Sequence, residues 1–299
     1  MKNGIIFYLS TNKELAVNVA KISGLPLGDC ELVHFSDGEI MVRNLSSVAG
    51  KTVYIIQSTV APASESLLEI FIAIDAFKNS NAKEIITVIP YFGFSRQDRV
   101  ARPGEPISAK VVAGLLQAAG TDRVISVDLH TQQIQGFFSC PVQNIDTFDL
   151  FGAYFVDKFN ELGIKGQDVV VVSPDHGSAL RARDLGSAFT DASIAFIDKR
   201  RPAPNKSEVI SVVGDVKGKT CVIIDDIIDT CGTINNAVEA IFKKGAKEIF
   251  VCATHAIFSA NEIDKRVKEV IVTDSVEKQL NGVKVLSIAK LISEAITKE

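Results

Sequence analysis

The chain repeats itself, and the repeat limits the folds open to it. Gly50-Lys51-Thr52 runs into Val53-Tyr54-Ile55-Ile56, and 168 residues later Gly218-Lys219-Thr220 runs into Cys221-Val222-Ile223-Ile224. Ala82-Lys83-Glu84-Ile85, entering the apolar run 86–89, returns at an offset of 164 as Ala246-Lys247-Glu248-Ile249 before 250–253. Upstream, residues 5–9 with Ser10-Thr11-Asn12 correspond to 169–172 with Ser173-Pro174-Asp175. Each half alternates short β-branched runs with segments of helical periodicity, the pattern of a mostly parallel sheet flanked by helices. At 299 residues the chain exceeds what one core usually serves. The expectation is α/β: two tandem domains, residues 1–147 and 148–299, each a mostly parallel sheet with helices on its faces. Two long units do not make a solenoid.

Neither Gly-Lys-Thr is a phosphate-binding P-loop. The motif needs a glycine five residues earlier, where Leu45 and Val213 stand, and it follows a strand where these precede one. No G-x-G-x-x-G fingerprint supports a dinucleotide fold either.

The most chemically loaded stretch lies in the second half, at 222–233: Val-Ile-Ile-Asp-Asp-Ile-Ile-Asp-Thr-Cys-Gly-Thr. The spacing predicts a buried strand stopped by Asp225 and Asp226, a loop of small residues, and a helix over 234–244. A small-residue loop at a helix N-terminus presents backbone N–H groups and the positive dipole end, which suits a phosphate. Two carboxylates beside a phosphate call for sugar hydroxyls or Mg²⁺. An ordinary strand-to-helix turn with Thr233 as N-cap is the plainer reading, weakened by two charges at a buried strand end. The first half has Gln57-Ser58-Thr59 at the position of the acidic pair, so that copy has lost this chemistry.

Other strand ends carry charge as well. Residues 91–104, after a strand over 85–90, contain Arg96, Gln97, Asp98, Arg99 and Arg102, in the place where open α/β sheets put ligands. Asp128-Leu129-His130 closes a strand over 124–129, and His130 reads equally as a polar loop residue or as a minority ligand to Mg²⁺. Asp175 follows the strand 169–172 and precedes a helix over 180–185, either as a helix cap or as a group facing a cation or sugar. Asp198-Lys199-Arg200-Arg201-Pro202-Ala203-Pro204 is either a solvated loop or an arm that closes on an anionic substrate. Phe35-Ser36-Asp37-Gly38-Glu39, taken alone, is a solvated turn.

Composition removes other classes. With 36 acidic against 32 basic residues and no Trp, nothing favours nucleic acid or an anionic membrane. No apolar run approaches the roughly 20 residues needed to cross a bilayer. Five scattered cysteines without a C-x-x-C pair fit reduced thiols in a cytoplasm.

In order along the chain, these motifs, with Gln133-Ile134-Gln135-Gly136-Phe137-Phe138, resemble the ribose-phosphate pyrophosphokinase (phosphoribosyl pyrophosphate synthetase) family over nearly the whole length. The resemblance implies two phosphoribosyltransferase-type domains. It also implies transfer of pyrophosphate from MgATP to the C1 hydroxyl of ribose 5-phosphate, giving phosphoribosyl pyrophosphate and AMP for nucleotide biosynthesis. Carried over by motif, Asp229, Thr230, Cys231, Gly232 and Thr233 cradle the 5-phosphate, and Asp225 and Asp226 sit near the ribose hydroxyls. Arg96 and Gln97 contact ATP, as do Phe35, Asp37, Gly38 and Glu39 from a neighbouring chain. His130 and Asp175 hold Mg²⁺ directly or through water, while Lys199 and Arg201 close on the transferring group, Arg201 also touching ribose 5-phosphate. Cross-subunit ATP contacts imply a homo-oligomer, a hexamer in the family. A phosphoribosyltransferase and a catalytically silent regulatory subunit are the rival readings. Cys231 replaces the usual Ala or Gly, which implies a site open to oxidation. Val100, Pro103, Gly104 and the short C-terminus depart from the family where phosphate and ADP regulate.

Overall fold

The computed structural model describes residues 3–175, 177–200, 209–260 and 262–298. The chain forms two compact units, one of Met1–Ile145 with Asp274–Glu277 and Ser287–Glu299, the other of Asp146–Thr273 with Lys278–Leu286. The assignment of all of 148–299 to the second domain is therefore corrected for two segments near the C-terminus.

In the first unit, β1 (Gly4–Tyr8) leads to helix α1 (Lys13–Ser23), then to an antiparallel hairpin of β2 (Cys30–His34) and β3 (Ile40–Asn44). β4 (Thr52–Ile56), α2 (Ala63–Asn79), β5 (Glu84–Ile89), α3 (Ser108–Ala119), β6 (Arg123–Val127) and β7 (Val142–Ile145) follow. The sheet order is β1-β4-β5-β6-β7, parallel throughout.

The second unit starts with α4 (Phe148–Leu162) and β8 (Val169–Ser173), followed by α5 (Ala179–Gly186), β9 (Ser193–Arg200) and β10 (Val209–Val213). It continues through β11 (Thr220–Ile228), α6 (Gly232–Lys243), β12 (Glu248–Ala256), β13 (Val267–Thr273) and β14 (Val283–Leu286). Its order is β10-β9-β8-β11-β12-β13-β14, parallel except for the antiparallel β9–β10 pair. Run for run, β8-β11-β12-β13-β14 reproduces β1-β4-β5-β6-β7.

The repeat extends to single hydrogen bonds. Gly50 N–H donates to Asn81 O at 2.9 Å and Gly218 N–H to Gly245 O at 2.8 Å. Lys83 N–H donates to Lys51 O, and Lys247 N–H to Lys219 O, both at 2.8 Å. Gly50 and Gly218 have φ of +70° and +72°, a left-handed turn that glycine makes without steric cost.

One sequence expectation is corrected at the acidic pair. The acids at 225–226 do not stop the strand: β11 runs on to Ile228, pairing Asp225 with Ala253 and Ile228 with Ala256. Main-chain pairing with β12 continues because the first acid's side chain has its own partner, described below. Near the C-terminus β14 is followed by helix α7 (Ala289–Thr297). Val283-Lys284-Val285 alternates with the period of a strand, and Val285 pairs with Val272. Helix α7 packs on α1 in the first unit, and the Asp274 carboxylate accepts the Ile288 N–H at 2.8 Å where the helix begins.

Phe151, Phe155 and Phe159 recur every fourth residue of α4 and bury one face of it against Phe250 of β12. Phe155 and Phe159 meet that ring edge-on, at centroid distances of 6.1 and 5.3 Å. Phe155→Ala is expected to destabilise the second unit by about 3–5 kcal/mol through lost transfer energy and a residual cavity. A denaturant titration measures it. No described helix is long and apolar enough to cross a membrane.

Candidate active site

In the second unit the chain leaves β8 towards β9 on one side and leaves β11 towards β12 on the other. The carboxyl ends of β8 and β11 therefore flank the point where the sheet order reverses, the usual ligand position in open α/β sheets. Asp175 follows β8; Asp225, Asp226 and the 229–233 loop lie along and after β11.

Asp225 and Asp226 are both buried. Ser178 Oγ donates to Asp225 Oδ1 at 2.7 Å, and the Asp226 N–H donates to the same oxygen at 3.0 Å. Arg181 Nη2 stands 3.9 Å from Asp226 Oδ2. Burial, then the charges of Asp226 and Asp175, push the Asp225 carboxyl well above the usual carboxylate range, against the opposing Ser178 bond. Three carboxylates within electrostatic reach of one another form a site that favours a cation or a polyol. Their hard oxygen donors suit Mg²⁺. Asp175 is half-buried, and its Oδ1 accepts the Ser178 N–H at 3.0 Å.

Ser178 and Arg181 were not singled out from sequence. They lie three and six residues after Asp175, at the start of the helix beneath the acids. That placement was the available signal.

Within the 229–233 stretch, Cys231 has φ of 60° and stands at the N-cap of α6, which begins at Gly232. The first N–H groups of an α-helix lack intrahelical partners, so the loop has the backbone geometry of an anion site. Asp229 Oδ1 accepts a hydrogen bond from Ser259 Oγ. Cys231 is 2% exposed and packs in the hydrophobic core. Burial pushes its thiol pKa up, which runs against the expected sensitivity to oxidation. Iodoacetamide at neutral pH is expected to leave Cys231 unmodified in the folded protein and to label it after denaturation. Peptide mass spectrometry checks this.

Lys199 sits near the end of β9, its backbone paired with Ile210 of β10, so the basic run begins within an antiparallel ribbon. Arg201 lies outside the described residues.

In the first unit, Phe35–Glu39 forms the tip of the β2–β3 hairpin: Phe35 N–H donates to Glu39 O at 2.8 Å, and Asp37 Oδ1 accepts the Glu39 N–H at 3.1 Å. Gly38 takes φ of +91°, and Phe35 is 47% exposed. Arg96 and Gln97 are exposed beyond β5, where Ser108 Oγ at the start of α3 donates to Gln97 Oε1 at 2.6 Å. Thr131 Oγ1 donates to Asp98 Oδ2 at 2.8 Å and so joins this loop to the one carrying His130. That second loop is pinned to β7, because Asp128 N–H bonds Ile145 O at 2.8 Å and Leu129 N–H bonds Asn144 Oδ1 at 3.0 Å. His130 is half-buried.

The position equivalent to the acidic pair is filled. Gln57 and Ser58 are fully buried; Gln57 Oε1 accepts the Thr11 N–H at 3.0 Å, and Asn12 Oδ1 accepts the Ser58 N–H at 2.7 Å. Ser58 Oγ and Asn12 Nδ2 both donate to Ser275 O, at 2.6 and 3.0 Å. The first copy has thus replaced the adjacent acids by amide and hydroxyl side chains that hydrogen-bond within their own unit.

The family model described as the N-terminal domain of ribose phosphate pyrophosphokinase matches residues 4–120, and that of the phosphoribosyl transferase domain matches 143–287. The ribose-phosphate pyrophosphokinase of Caldanaerobacter subterraneus subsp. tengcongensis is 48% identical, with 97% of this chain and 93% of that one covered. That of Bacillus subtilis is 46% identical, covering 99% and 93%. The crystal structure of phosphoribosylpyrophosphate synthetase from Mycobacterium smegmatis superposes with a TM-score of 0.89 at 39% identity, covering 99% of this chain and 98% of that one. The doubled sheet with one acidic and one filled crevice, and these likenesses over nearly the full length, lead to one statement: the chain belongs to the ribose-phosphate pyrophosphokinase family.

Proposed function

We propose that the protein moves the β,γ-diphosphoryl group of ATP to the C1 hydroxyl of ribose 5-phosphate, releasing AMP and phosphoribosyl pyrophosphate. The observation that carries this is the buried Asp225–Asp226 pair running into the Asp229–Thr233 loop at the start of α6. A polyol and a phosphate on one small molecule match that juxtaposition. Backbone N–H groups of Thr230, Cys231, Gly232 and Thr233 would hold the 5-phosphate. Asp225 and Asp226 would accept hydrogen bonds from the ribose hydroxyls and so aim the C1 oxygen.

The C1 oxygen then attacks the β-phosphorus, the bridging oxygen leaves with AMP, and the proton of the C1 hydroxyl passes to solvent. This chemistry rests on alignment and charge and needs no strong base. Lys199 and Arg201 are assigned to the charge that grows on the transferring group. Arg96 and Gln97 are assigned to ATP, together with Phe35, Asp37, Gly38 and Glu39 of a neighbouring copy. The exposed Phe35 ring on a hairpin tip fits such a role, and the assembly is proposed as a homo-oligomer, a hexamer by family likeness. Mg²⁺, when bound, neutralises phosphate oxygens, and His130 and Asp175 are the residues proposed to hold it. A cytoplasmic site of action is proposed from the five cysteines, none of which is disulfide-bonded.

Incubation with ATP, ribose 5-phosphate and Mg²⁺, with and without inorganic phosphate, tests the reading by AMP formation. AMP in both conditions supports lost phosphate regulation at the Val100, Pro103 and Gly104 segment. No AMP in either, from folded protein, refutes the proposed activity.

A further inference from the structure

Three side chains of the first unit converge and have no part in the proposed reaction. His34 ends β2, and Glu65 and Glu69 lie one helical turn apart on α2, so they share a face. His34 Nδ1 is 3.0 Å from Glu65 Oε1, and its Nε2 is 3.2 Å from Glu69 Oε1. One ligand atom from each residue lies within 4.8 Å of the other two.

Glu69 is 1% exposed, and Ser10 Oγ and Gln57 Nε2 both donate to its Oε2. These bonds orient the carboxylate and direct Oε1 at His34, as outer partners do around a metal ligand. A buried carboxylate needs compensating positive charge. Among the described residues the ion-pair partner of Glu69 is His34, which is charged only when protonated. His34 and Glu65 are 40% and 43% exposed, so both can turn while Glu69 stays fixed. Zinc-type bonds of about 2.0–2.2 Å place neighbouring tetrahedral ligand atoms about 3.4 Å apart, which a modest closure of this cluster reaches.

We propose that His34, Glu65 and Glu69 bind a divalent first-row transition-metal ion, with water completing its coordination. Two carboxylates balance the charge, and the imidazole nitrogen favours Zn²⁺ or Co²⁺ over Mg²⁺. Binding ties the β2–β3 hairpin to α2. The site does not depend on the proposed reaction.

Co²⁺ titration of the metal-free full-length protein tests it, followed by visible absorption and by Tm. The expected result is one Co²⁺ per chain with low-coordinate nitrogen/oxygen bands and a raised Tm, persisting in excess Mg²⁺. His34→Gln loses that equivalent, Glu65→Gln weakens it by at least ~10-fold, and His130→Ala keeps it. Equal stoichiometry, affinity and spectrum in wild type and His34→Gln overturn the proposal, as does a wild type that shows no such equivalent. If His34→Gln does not fold, half-exposed Glu65→Gln decides by the same comparison, and unchanged binding there overturns the proposal.

Discussion

Asp225→Asn is expected to yield a protein that is more stable than wild type at neutral pH and close to inactive. Both effects come from one observation. The Asp225 carboxyl is buried beside Asp226 and Asp175 and holds its proton well above the usual carboxylate range. In the unfolded chain it titrates near 3.9. Below that value both states carry the proton and the group contributes no pH dependence. Between the unfolded and folded values only the folded state holds it, so stability falls as pH rises through that window. Asparagine removes the cost of ionisation. Tm of Asp225→Asn should therefore match wild type at about pH 3 and exceed it increasingly above about pH 5, each ~1 kcal/mol gained raising Tm by roughly 2–4 °C. Activity moves the other way. The amide accepts at one oxygen only, and a ribose hydroxyl left facing its N–H₂ group unpaired costs about 1–3 kcal/mol. That is roughly 5–150-fold in kcat/KM, more if metal placement suffers too. Thermal melts across pH with steady-state kinetics check both halves. A variant less stable than wild type at pH 8 would mean that the carboxylate is already compensated.

The second large effect is expected at Lys199. An ammonium placed on the transferring group acts where charge develops, so Lys199→Ala should lower kcat by about 10³-fold or more, the size seen when a transition-state cation is withdrawn from phosphoryl transfer. Ribose 5-phosphate binding, measured calorimetrically, should change less than about threefold, because its assigned contacts are elsewhere. Lys199→Arg should recover part of kcat, whereas Lys199→Met, matched in length but uncharged, should not. Near wild-type kcat in Lys199→Ala would remove this residue from the reaction.

Much of this arrangement was legible in the sequence because it is written in local periodicity. The duplicated Gly-Lys-Thr and Ala-Lys-Glu-Ile turns enter equivalent strands, and the substitution of Gln57-Ser58-Thr59 for the acidic pair marks the filled crevice. What sequence reading missed depends on contacts between distant residues. β11 continues through Asp225 because Ser178, forty-seven positions away, satisfies that carboxylate. The last helix returns to the first unit because its apolar face packs on α1, which periodicity alone cannot assign to a partner. Cys231 looked like a thiol in a ligand loop, yet the left-handed backbone at that residue goes with a side chain turned into the core. The His34–Glu65–Glu69 cluster needs a hairpin folded over a helix, and His34 next to the Phe35–Glu39 motif gave no hint of it.

The proposed reaction transfers two phosphorus atoms as one group. Phosphorus-31 NMR of a reaction containing ATP, ribose 5-phosphate, Mg²⁺ and the purified protein tests it most directly. AMP and a diphosphate ester, two coupled phosphorus resonances on the sugar C1, are expected to grow in equal amounts as ATP disappears. ADP with a single new phosphate monoester would contradict it and make the protein an ordinary kinase.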